Sequence, residues 1–444
     1  MIELAAVGGY NEVGKNMTAV KINDEVFVFD MGLHLESYVQ CTEEEDVIKV
    51  SAAQLTQAGA IPNIKSIEDW RKKVKAIIPS HAHLDHIGAI PYLSNRFDAE
   101  ILCTPFSAAV LKAILRDEKI DLKNQIKSLN VNAIYQLSRN VILEFINMTH
   151  STPQTVMIAL HTPEGVILYA NDFKFDLFPV LGKKPDFEKL RSLGKKGVLA
   201  LIVDSTYAAL DQKTPSETVA KEMLRDVLLG TDNHGKAIII TTFSSHLARL
   251  KSVIEFGKRL NRKIVFMGRS LAKYVQAGED VKIIDFSKDV EIVKFGKQIR
   301  RRLKRIMREG KEKYLLVVTG HQGEKKATLS KMITGDLPFV FDAEDHVIFS
   351  CRTIPTPTNE KNRAFIEKRL KSFGVRLFKD IHTSGHAARE DLRDLINLTK
   401  PKYLIPAHGS IGMRTAATEL AKQMGYRLNK DVFLIKNGER IKLQ

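Results

Sequence analysis

Four potential metal ligands fall within six residues of this chain, directly after an apolar run from Val74 to Ile78. They are His81, His83, Asp85 and His86, in the order His-Ala-His-Leu-Asp-His. The apolar run predicts a buried β-strand, and the end of a strand can turn the first two histidines toward one ion while the other two residues reach a second. Imidazole and carboxylate groups suit zinc, or manganese where oxygen ligands predominate. The segment therefore predicts a metal centre at a strand end.

Further ligand-type residues also follow apolar runs. They are Asp30 after 26–29, His150 after 143–148, Asp172 after 166–170 and His408 after 403–405. Each alone is a weak signal, because a lone histidine is usually an ordinary core or surface residue. Together they predict two sites, one of His81, His83 and His150 and one of Asp85, His86 and His408, with Asp172 bridging them. We expect Asp30 to accept a hydrogen bond that orients a ligand histidine.

Two ions placed in this way lower the pKa of a shared water and hold the phosphate oxygens of an in-line displacement. The ligand carboxylates Asp85 and Asp172 are therefore predicted to be catalytic as well as metal-binding. The net charge of +16 also favours a polyanionic partner, since lysine and arginine release counterions from phosphates. Basic proteins that bind no nucleic acid exist too, so the charge alone leaves both interpretations open.

The length of 444 residues predicts two or three domains. No apolar run is long enough to span a membrane and the N-terminus lacks a secretory pattern, so we expect a cytoplasmic protein with no membrane partner. Three widely separated cysteines, Cys41, Cys103 and Cys351, lack any CxxC spacing. They indicate neither a disulfide framework nor a thiolate zinc site.

Short β-like runs alternate with helical patterns along much of the chain, which predicts α/β units with functional groups at the carboxyl ends of parallel strands. The stretch 182–196 is rich in lysine and glycine, and we interpret it as a connection between two lobes. The stretch 294–313 predicts a basic helix with an apolar stripe of Ile299, Leu303 and Ile306. A solvated face is the favoured interpretation of its charges, and an RNA-contacting surface is the alternative.

The His81 to His86 segment, with His150, Asp172 and His408, resembles the metallo-β-lactamase fold, an αββα sandwich. More specifically, the chain resembles the β-CASP nucleases, in which a second α/β domain is inserted into that fold. Asp204 in D-S-T-Y, His386 in T-S-G-H-A and His408 in P-A-H-G-S match the three motifs of that group. The resemblance implies a first domain in two parts, residues 1–206 and 351–444, and an insert at residues 207–350.

Within that group the chain is most similar to ribonuclease J, above all to its archaeal form. The segments that carry the similarity are G-G-Y-N-E-V-G-K-N-M (8–17), N-D-F-K-F-D (171–176), T-F-S-S-H-L-A-R (242–249), G-H-Q-G-E (320–324) and P-T-P-T-N-E (355–360). The resemblance implies a zinc-dependent 5′-to-3′ exoribonuclease that prefers 5′-monophosphorylated single-stranded RNA, with endonuclease activity as an addition, in RNA processing and decay. It also implies two zinc ions per subunit, with manganese as an alternative, and a homodimer.

The resemblance assigns substrate roles to several residues outside the ligand set. His386 would contact and polarise the scissile phosphate, and Asp204 would help to position it. The loop of Ser384, Gly385 and His386 offers groups suited to phosphate, although a turn-stabilising role for Ser384 is an equal alternative. A second candidate patch for the RNA backbone consists of Ser244, His246 and Arg249, although Arg249 could equally be an ordinary surface residue.

Other members of the same fold remain as alternatives. An RNA 3′-end-processing endoribonuclease shares the fold and metals, but archaeal forms usually carry N-terminal RNA-binding modules. The DNA-repair branch typically has valine where this chain has His408. A thioester or lactam hydrolase needs no such insert, and a flavodiiron protein usually has glutamate at the position of His83. An inactive RNA-binding subunit would have lost ligands that are all present here.

Two features depart from the ribonuclease J pattern. The bacterial form has a separate C-terminal domain that supports dimerisation, and this chain ends soon after His408. Ser410 stands where relatives often have an acidic residue. The first departure leaves the expected dimer interface open, and the second leaves its effect on metal affinity open.

Overall fold

The computed structural model describes residues 1–44 and 50–443, which form two compact units. The first unit contains residues 1–177 and 183–214 together with the chain from Ser384 onward. The second unit contains residues 178–182 and 215–383. The fold is thus a discontinuous domain that carries a second domain as an insertion.

In the described part of the chain, the first unit contains two mixed sheets. The strands of the first are β1 (Ile2–Gly8), β2 (Met17–Ile22), β3 (Glu25–Phe29), β4 (Val74–Ile78), β5 (Glu100–Cys103), β6 (Ile126–Ser128) and β19 (Arg440–Leu443), in the order β19-β1-β2-β3-β4-β5-β6. Those of the second are β7 (Ile134–Ser138), β8 (Val141–Asn147), β9 (Val156–Thr162), β10 (Gly165–Ala170), β11 (Val198–Asp204) and β18 (Tyr403–Ala407), in the order β18-β11-β10-β9-β8-β7.

The helices of the first unit are α1 (Leu35–Glu44), α2 (Ala52–Gln57), α3 (Leu84–Ile87), α4 (Ile90–Leu93), α5 (Pro105–Glu118), α6 (Phe187–Lys196), α13 (Arg389–Thr399) and α14 (Ile411–Gln423). Short 3₁₀ helices span Ile64–Lys73 and Ser94–Arg96. The two sheets share one core, in which Phe27 and Phe29 of the first lie with Phe145 and Tyr169 of the second. Helices α6, α13 and α14 cover the outer face of the second sheet, and α5 lies beside β6 of the first.

The second unit is a parallel α/β layer. Its strands are β12 (Ile238–Thr241), β13 (Lys263–Met267), β14 (Val290–Val293), β15 (Tyr314–Val318), β16 (His346–Phe349) and β17 (Arg376–Phe378), in the order β14-β13-β15-β12-β16-β17. Its helices are α7 (Glu217–Leu229), α8 (Leu247–Arg259), α9 (Arg269–Asp280), α10 (Gly296–Glu309), α11 (Thr328–Ile333) and α12 (Pro357–Ser372), with a 3₁₀ turn at Lys311–Lys313. Strands such as β15 are apolar throughout because helices cover both faces of a parallel sheet.

The αββα sandwich with an inserted α/β domain confirms the predicted fold class, and α10 confirms the predicted basic helix with Ile299, Leu303 and Ile306 buried. The interpretation of residues 182–196 as a simple connection between two lobes needs correction. Residues 187–196 form α6, whose side chains Leu190 and Leu193 are buried in the first unit. Asp186 caps this helix by accepting a hydrogen bond from the Lys189 amide.

The compact units also differ from the expected domain boundary at residue 350. Residues 351–383 belong to the second unit, because β17 pairs in parallel with β16 and α12 contributes Ile366 and Leu370 to the core of that unit. The insert begins at Pro215 rather than at Tyr207. Within the described residues Cys41, Cys103 and Cys351 are free thiols, and none of the helices has the length and apolarity to cross a membrane.

Candidate metal centre

The candidate ligands lie where strands of the first unit end. His81 and His83 follow β4, and α3 begins at once with Asp85 and His86 in its single turn. The carboxyl ends of β3, β10 and β18 contribute Asp30, Asp172 and His408, each with a positive φ of 50–56°. That left-handed conformation is uncommon for a non-glycine residue and clusters at functional sites. It turns each chain sharply as it leaves the sheet.

Four ligand atoms converge as the first candidate site. His83 Nδ1 lies 3.1 Å from His81 Nε2 and 3.2 Å from His150 Nε2. Asp172 Oδ2 lies 3.4 Å from His81 Nε2 and 3.5 Å from His150 Nε2. All four atoms lie within 4.8 Å of one another, so one ion could contact all of them.

The second candidate site uses the other oxygen of Asp172. Asp172 Oδ1 lies 3.3 Å from the Nε2 atoms of both His86 and His408. Asp85 Oδ2 lies 3.6 Å from His86 Nε2 and 3.9 Å from His408 Nε2. The two oxygens of the Asp172 carboxylate therefore face two different sets of ligand atoms.

The outward nitrogens of the five histidines are held by other groups. His81 Nδ1 lies 3.0 Å from Ser80 Oγ, His83 Nε2 3.3 Å from Ser151 Oγ, His86 Nδ1 2.7 Å from Asp30 Oδ2, His150 Nδ1 2.7 Å from the Gly385 carbonyl and His408 Nδ1 2.8 Å from Asn16 Oδ1. Metal-binding histidines are oriented in this way, with the second nitrogen hydrogen-bonded. Asp172 Oδ1 and His408 Nε2 are buried without a hydrogen-bond partner among the described residues. This arrangement fits a pair of divalent ions.

The pKa shifts in the first candidate site favour the protonation states that bind a metal ion. Burial, and then the neighbouring His81, lower the pKa of His83 to about 3, and burial also holds the pKa values of His81 and His150 below the usual range. Burial would raise the pKa of Asp172, but His408 and His86 outweigh it and hold that pKa well below the usual range. Neutral imidazoles and an ionised carboxylate are the states that bind a metal ion.

Asp30 lies at the centre of a buried hydrogen-bond network. Its Oδ2 atom is 2.7 Å from His86 Nδ1 and accepts hydrogen bonds from Ser80 Oγ and Tyr169 Oη, while Oδ1 accepts the Ser80 amide. Tyr169 Oη in turn accepts a hydrogen bond from Asn171 Nδ2. The carboxylate is therefore fixed by three donors apart from the histidine that it faces.

His386 and Asp204 form a pair beside the two ligand sets. His386 Nδ1 lies 2.7 Å from Asp204 Oδ2, and His386 Nε2 lies 3.9 Å from Asp172 Oδ2. Burial lowers the pKa of His386, but the carboxylates of Asp172 and Asp204 outweigh it and raise that pKa to about 10. Asp172, Asp204, His386 and His408 also form a third group with ligand atoms within 4.8 Å of one another.

Three segments of the chain match known protein families. Residues 10–200 match the metallo-beta-lactamase superfamily, residues 235–368 match "Ribonuclease J, beta-CASP domain" and residues 375–434 match "Zn-dependent metallo-hydrolase RNA specificity domain". Ribonuclease J of Methanocaldococcus jannaschii is 44% identical over 99% of this chain and 98% of its own length. Ribonuclease J of Pyrococcus abyssi is 41% identical over 100% of this chain and 97% of its own length. Ribonuclease J 1 of Streptococcus pyogenes is 31% identical over 99% of this chain and 74% of its own length.

The chain belongs to the ribonuclease J family. This membership confirms the predicted family, and it makes the chain a metal-dependent nuclease, as the ligand pattern predicts. Among solved structures, a protein of unknown function from Enterococcus faecalis V583 aligns with a TM-score of 0.65 over 99% of both chains. At 16% identity, that likeness shows the fold alone.

In this ribonuclease J family member, the loop of Ser384, Gly385 and His386 is held by its own contacts. Ser384 Oγ accepts a hydrogen bond from the His386 amide at 3.0 Å, a contact that stabilises the turn. A Cβ atom at Gly385 would lie 2.8 Å from the His150 ring. Only glycine fits there, because the main chain comes close enough for its carbonyl to meet His150 Nδ1.

The predicted RNA-backbone patch of Ser244, His246 and Arg249 needs correction. Arg249 is fully buried, and its guanidinium binds the Glu217 carboxylate at 2.6 and 2.9 Å and the carbonyls of Ser350 and Ile381. His246 is also buried, with Nε2 3.3 Å from Glu217. Arg249 and His246 therefore stabilise the interior of the second unit, and only Ser244 of the predicted patch is half-buried rather than buried.

Sequence reasoning did not single out Asn16, Ser80 or Tyr169. Asn16 contacts two of the candidate ligand residues, since Oδ1 faces His408 and Nδ2 donates to the Asp85 carbonyl. It lies in the segment 8–17 that carries the family resemblance, so a signal was present. Tyr169 had none, because a tyrosine within an apolar run is typical of a core strand.

Proposed function

We propose that the chain is a 5′-to-3′ exoribonuclease that acts on 5′-monophosphorylated single-stranded RNA in RNA processing and decay, with two zinc ions, or manganese, per subunit. The observation that carries the proposal is the Asp172 carboxylate, whose two oxygens face two sets of ligand atoms. The relatives named ribonuclease J and the match to an RNA specificity domain support RNA as the substrate. The family resemblance alone supports a homodimer, which light scattering on the purified chain would check.

In this proposal seven residues bind the metal ions. They are His81, His83, Asp85, His86, His150, Asp172 and His408. These residues would hold divalent ions, which would supply Lewis acidity to the scissile phosphate and would lower the pKa of a bound water. Asp30, Ser80, Ser151 and Asn16 and the Gly385 carbonyl orient the five imidazoles through their outward nitrogens.

His386 is the proposed phosphate contact. Asp204 binds its Nδ1, which leaves Nε2 directed toward the ligand sets, 3.9 Å from Asp172 Oδ2. An imidazolium in that position would donate a hydrogen bond to a phosphate oxygen and stabilise the charge that develops on it. Asp204 acts through His386 and is a positioning residue.

A cleavage assay tests the proposal. The purified chain is incubated, with zinc or manganese, with a 3′-labelled RNA of roughly 30 nucleotides that is single-stranded and carries a 5′-monophosphate or a 5′-hydroxyl. We expect progressive shortening of the labelled RNA from its 5′ end that is faster from the monophosphate, and no shortening with Asp172→Asn. Internal fragments whose yield does not depend on the 5′ group would favour the endoribonuclease alternative. No cleavage would favour an inactive RNA-binding subunit and overturn the proposal.

A further inference from the structure

Helix α10 carries four cations on one narrow stripe. Lys297, Arg301, Lys304 and Arg308 follow one another at intervals of four, three and four residues, and all four are exposed. At about 100° per residue, these intervals place the four side chains within about 60° of one another around the helix axis. We call these four residues the basic stripe. It is a line of positive charge about 16 Å long.

The opposite face of α10 is anchored in the second unit. Ile299, Leu303 and Ile306 are at most 5% exposed and belong to its hydrophobic core. They lie on the side of the helix opposite the basic stripe, since their positions differ from the stripe by about half a turn. Because this apolar face fixes the rotation of the helix, the basic stripe is held toward solvent.

Other cations of α10 already have partners. Arg302 pairs with Glu291 at 2.7 Å, Arg305 pairs with Glu309 at 2.5 Å, and Arg300 donates to the carbonyl of Asp336. By contrast, no carboxylate in residues 1–44 and 50–443 forms an ion pair with any residue of the basic stripe. Like charges three and four residues apart destabilise a helix, and a bound polyanion would remove that repulsion.

An exposed aromatic ring precedes the basic stripe. Phe295, the residue before α10, is 52% exposed, and Lys294 Nζ lies 5.2 Å from the centre of its ring. Surfaces that bind single-stranded nucleic acid combine cations along the backbone with an aromatic ring on which a base can stack. This combination favours single-stranded RNA over an acidic protein, which would need no exposed ring for stacking.

We propose that the basic stripe binds the phosphate backbone of single-stranded RNA and is a second substrate-binding surface in addition to the metal centre. The inference rests on the proposed function, since it takes RNA as the substrate. Each lysine or arginine would neutralise a phosphate and release its counterion, so the stripe contributes affinity without reading sequence. It contributes to the binding of long RNAs and leaves the chemical step unchanged.

The test compares the chain, in the presence of zinc, with the variant Lys297→Gln, Arg301→Gln, Lys304→Gln and Arg308→Gln. Binding of an RNA of roughly 30 nucleotides is measured across salt concentrations with Asp172→Asn in both proteins to prevent cleavage. We expect affinity to fall about tenfold or more at low salt, and the slope of log K against log salt to fall by about 3, since each lost phosphate contact removes about 0.7. In the active chain, KM for this RNA rises while turnover of a tetranucleotide stays the same.

Two controls make the test decisive. Lys361→Gln, Lys368→Gln, Arg369→Gln and Lys371→Gln remove the same charge from exposed positions on α12 and should leave the slope close to that of the parent. Lys297→Arg with Lys304→Arg keeps the charge and should keep the affinity. An unchanged slope in the stripe variant, or an equal fall in the α12 variant, overturns the proposal. If the parent binds RNA but cleaves none, the proposed function fails while the binding comparison still decides the stripe.

Discussion

The imidazole of His386 lies 2.7 Å from the carboxylate of Asp204, measured from Nδ1 to Oδ2. The other oxygen of Asp204 accepts hydrogen bonds from the amide and the hydroxyl of Thr206, at 2.8 and 2.6 Å. The carboxylate is therefore fixed from both sides, and it fixes the ring. His386 Nε2 consequently points toward the candidate ligand sets, where we propose that a phosphate binds.

His386→Ala should lower kcat for RNA cleavage about 10²–10³-fold, because it removes a donor aimed at charge that develops in the transition state. KM and metal content should change little, since His386 is outside both proposed ligand sets. Asp204→Asn should give a smaller fall in kcat, with the fold retained. Steady-state kinetics measure kcat and KM, and elemental analysis measures the metal content. Loss of a metal ion in His386→Ala would instead assign the residue to the third ligand group.

Asp30→Asn should weaken metal binding about 10–100-fold, because the carboxylate that faces His86 Nδ1 is replaced by an amide. Tyr169→Phe is the matched control, since it removes one donor to Asp30 and leaves the carboxylate facing the histidine. Zinc affinity is measured by competition with a chelator of known affinity. If both variants bind zinc as tightly as the parent, the network does not orient the ligand.

Arg249→Met should destabilise the second unit by about 3–5 kcal/mol, because it leaves the Glu217 carboxylate buried without its cation. The double variant with Glu217→Gln should be destabilised less than the sum of the single variants, since the two side chains contact each other. Denaturant unfolding of the full chain measures both. A fall in RNA affinity at unchanged stability would restore Arg249 as a contact for the RNA backbone.

Glu144 should stabilise the fold at neutral pH and lose this effect in acid. The hydrogen bond from His161, and then that from Lys189, lower the pKa of Glu144 from 4.5 to about 2, although its burial opposes them. A carboxyl with a depressed folded-state pKa stabilises the fold above 4.5, and that contribution is lost as the pH falls toward 2. Glu144→Gln should therefore lower the free energy of unfolding by about 1–3 kcal/mol at neutral pH.

The difference between the parent and Glu144→Gln should shrink as the pH falls below 4.5 and approach zero near 2. Denaturant unfolding at several pH values measures it. A difference that stays constant over this range would show that the side chain contributes through packing alone.

The convergence of the candidate ligands was predictable because their signal is local. A strand end followed by closely spaced imidazoles and carboxylates needs no knowledge of distant contacts, and His150, Asp172 and His408 repeat that pattern at other strand ends. Tyr169 and Arg249 carry no such signal. The roles of both depend on partners far along the chain, Asp30 for the tyrosine and Glu217 for the arginine, and arginine is seldom buried unless it is paired.

The domain limits were harder to predict than the fold class. Residues 351–383 belong to the insert partly because β17 extends the sheet beside β16, a pairing between strands that α12 separates in sequence. Helix α6 was missed because its lysines and glycine obscure the spacing of Leu190 and Leu193. In both cases tertiary packing decides the structure.

Metal reconstitution is the most direct test of the proposed two-metal site. Zinc is titrated into chelator-treated protein while cleavage of 5′-monophosphorylated RNA and bound zinc per chain are both followed. We expect full activity to require two zinc ions per chain. We also expect Asp172→Asn to bind RNA but neither to retain both ions nor to cleave, since Asp172 faces both candidate ligand sets. Full cleavage by the metal-free protein, or by Asp172→Asn, would show that the two-metal site is wrong.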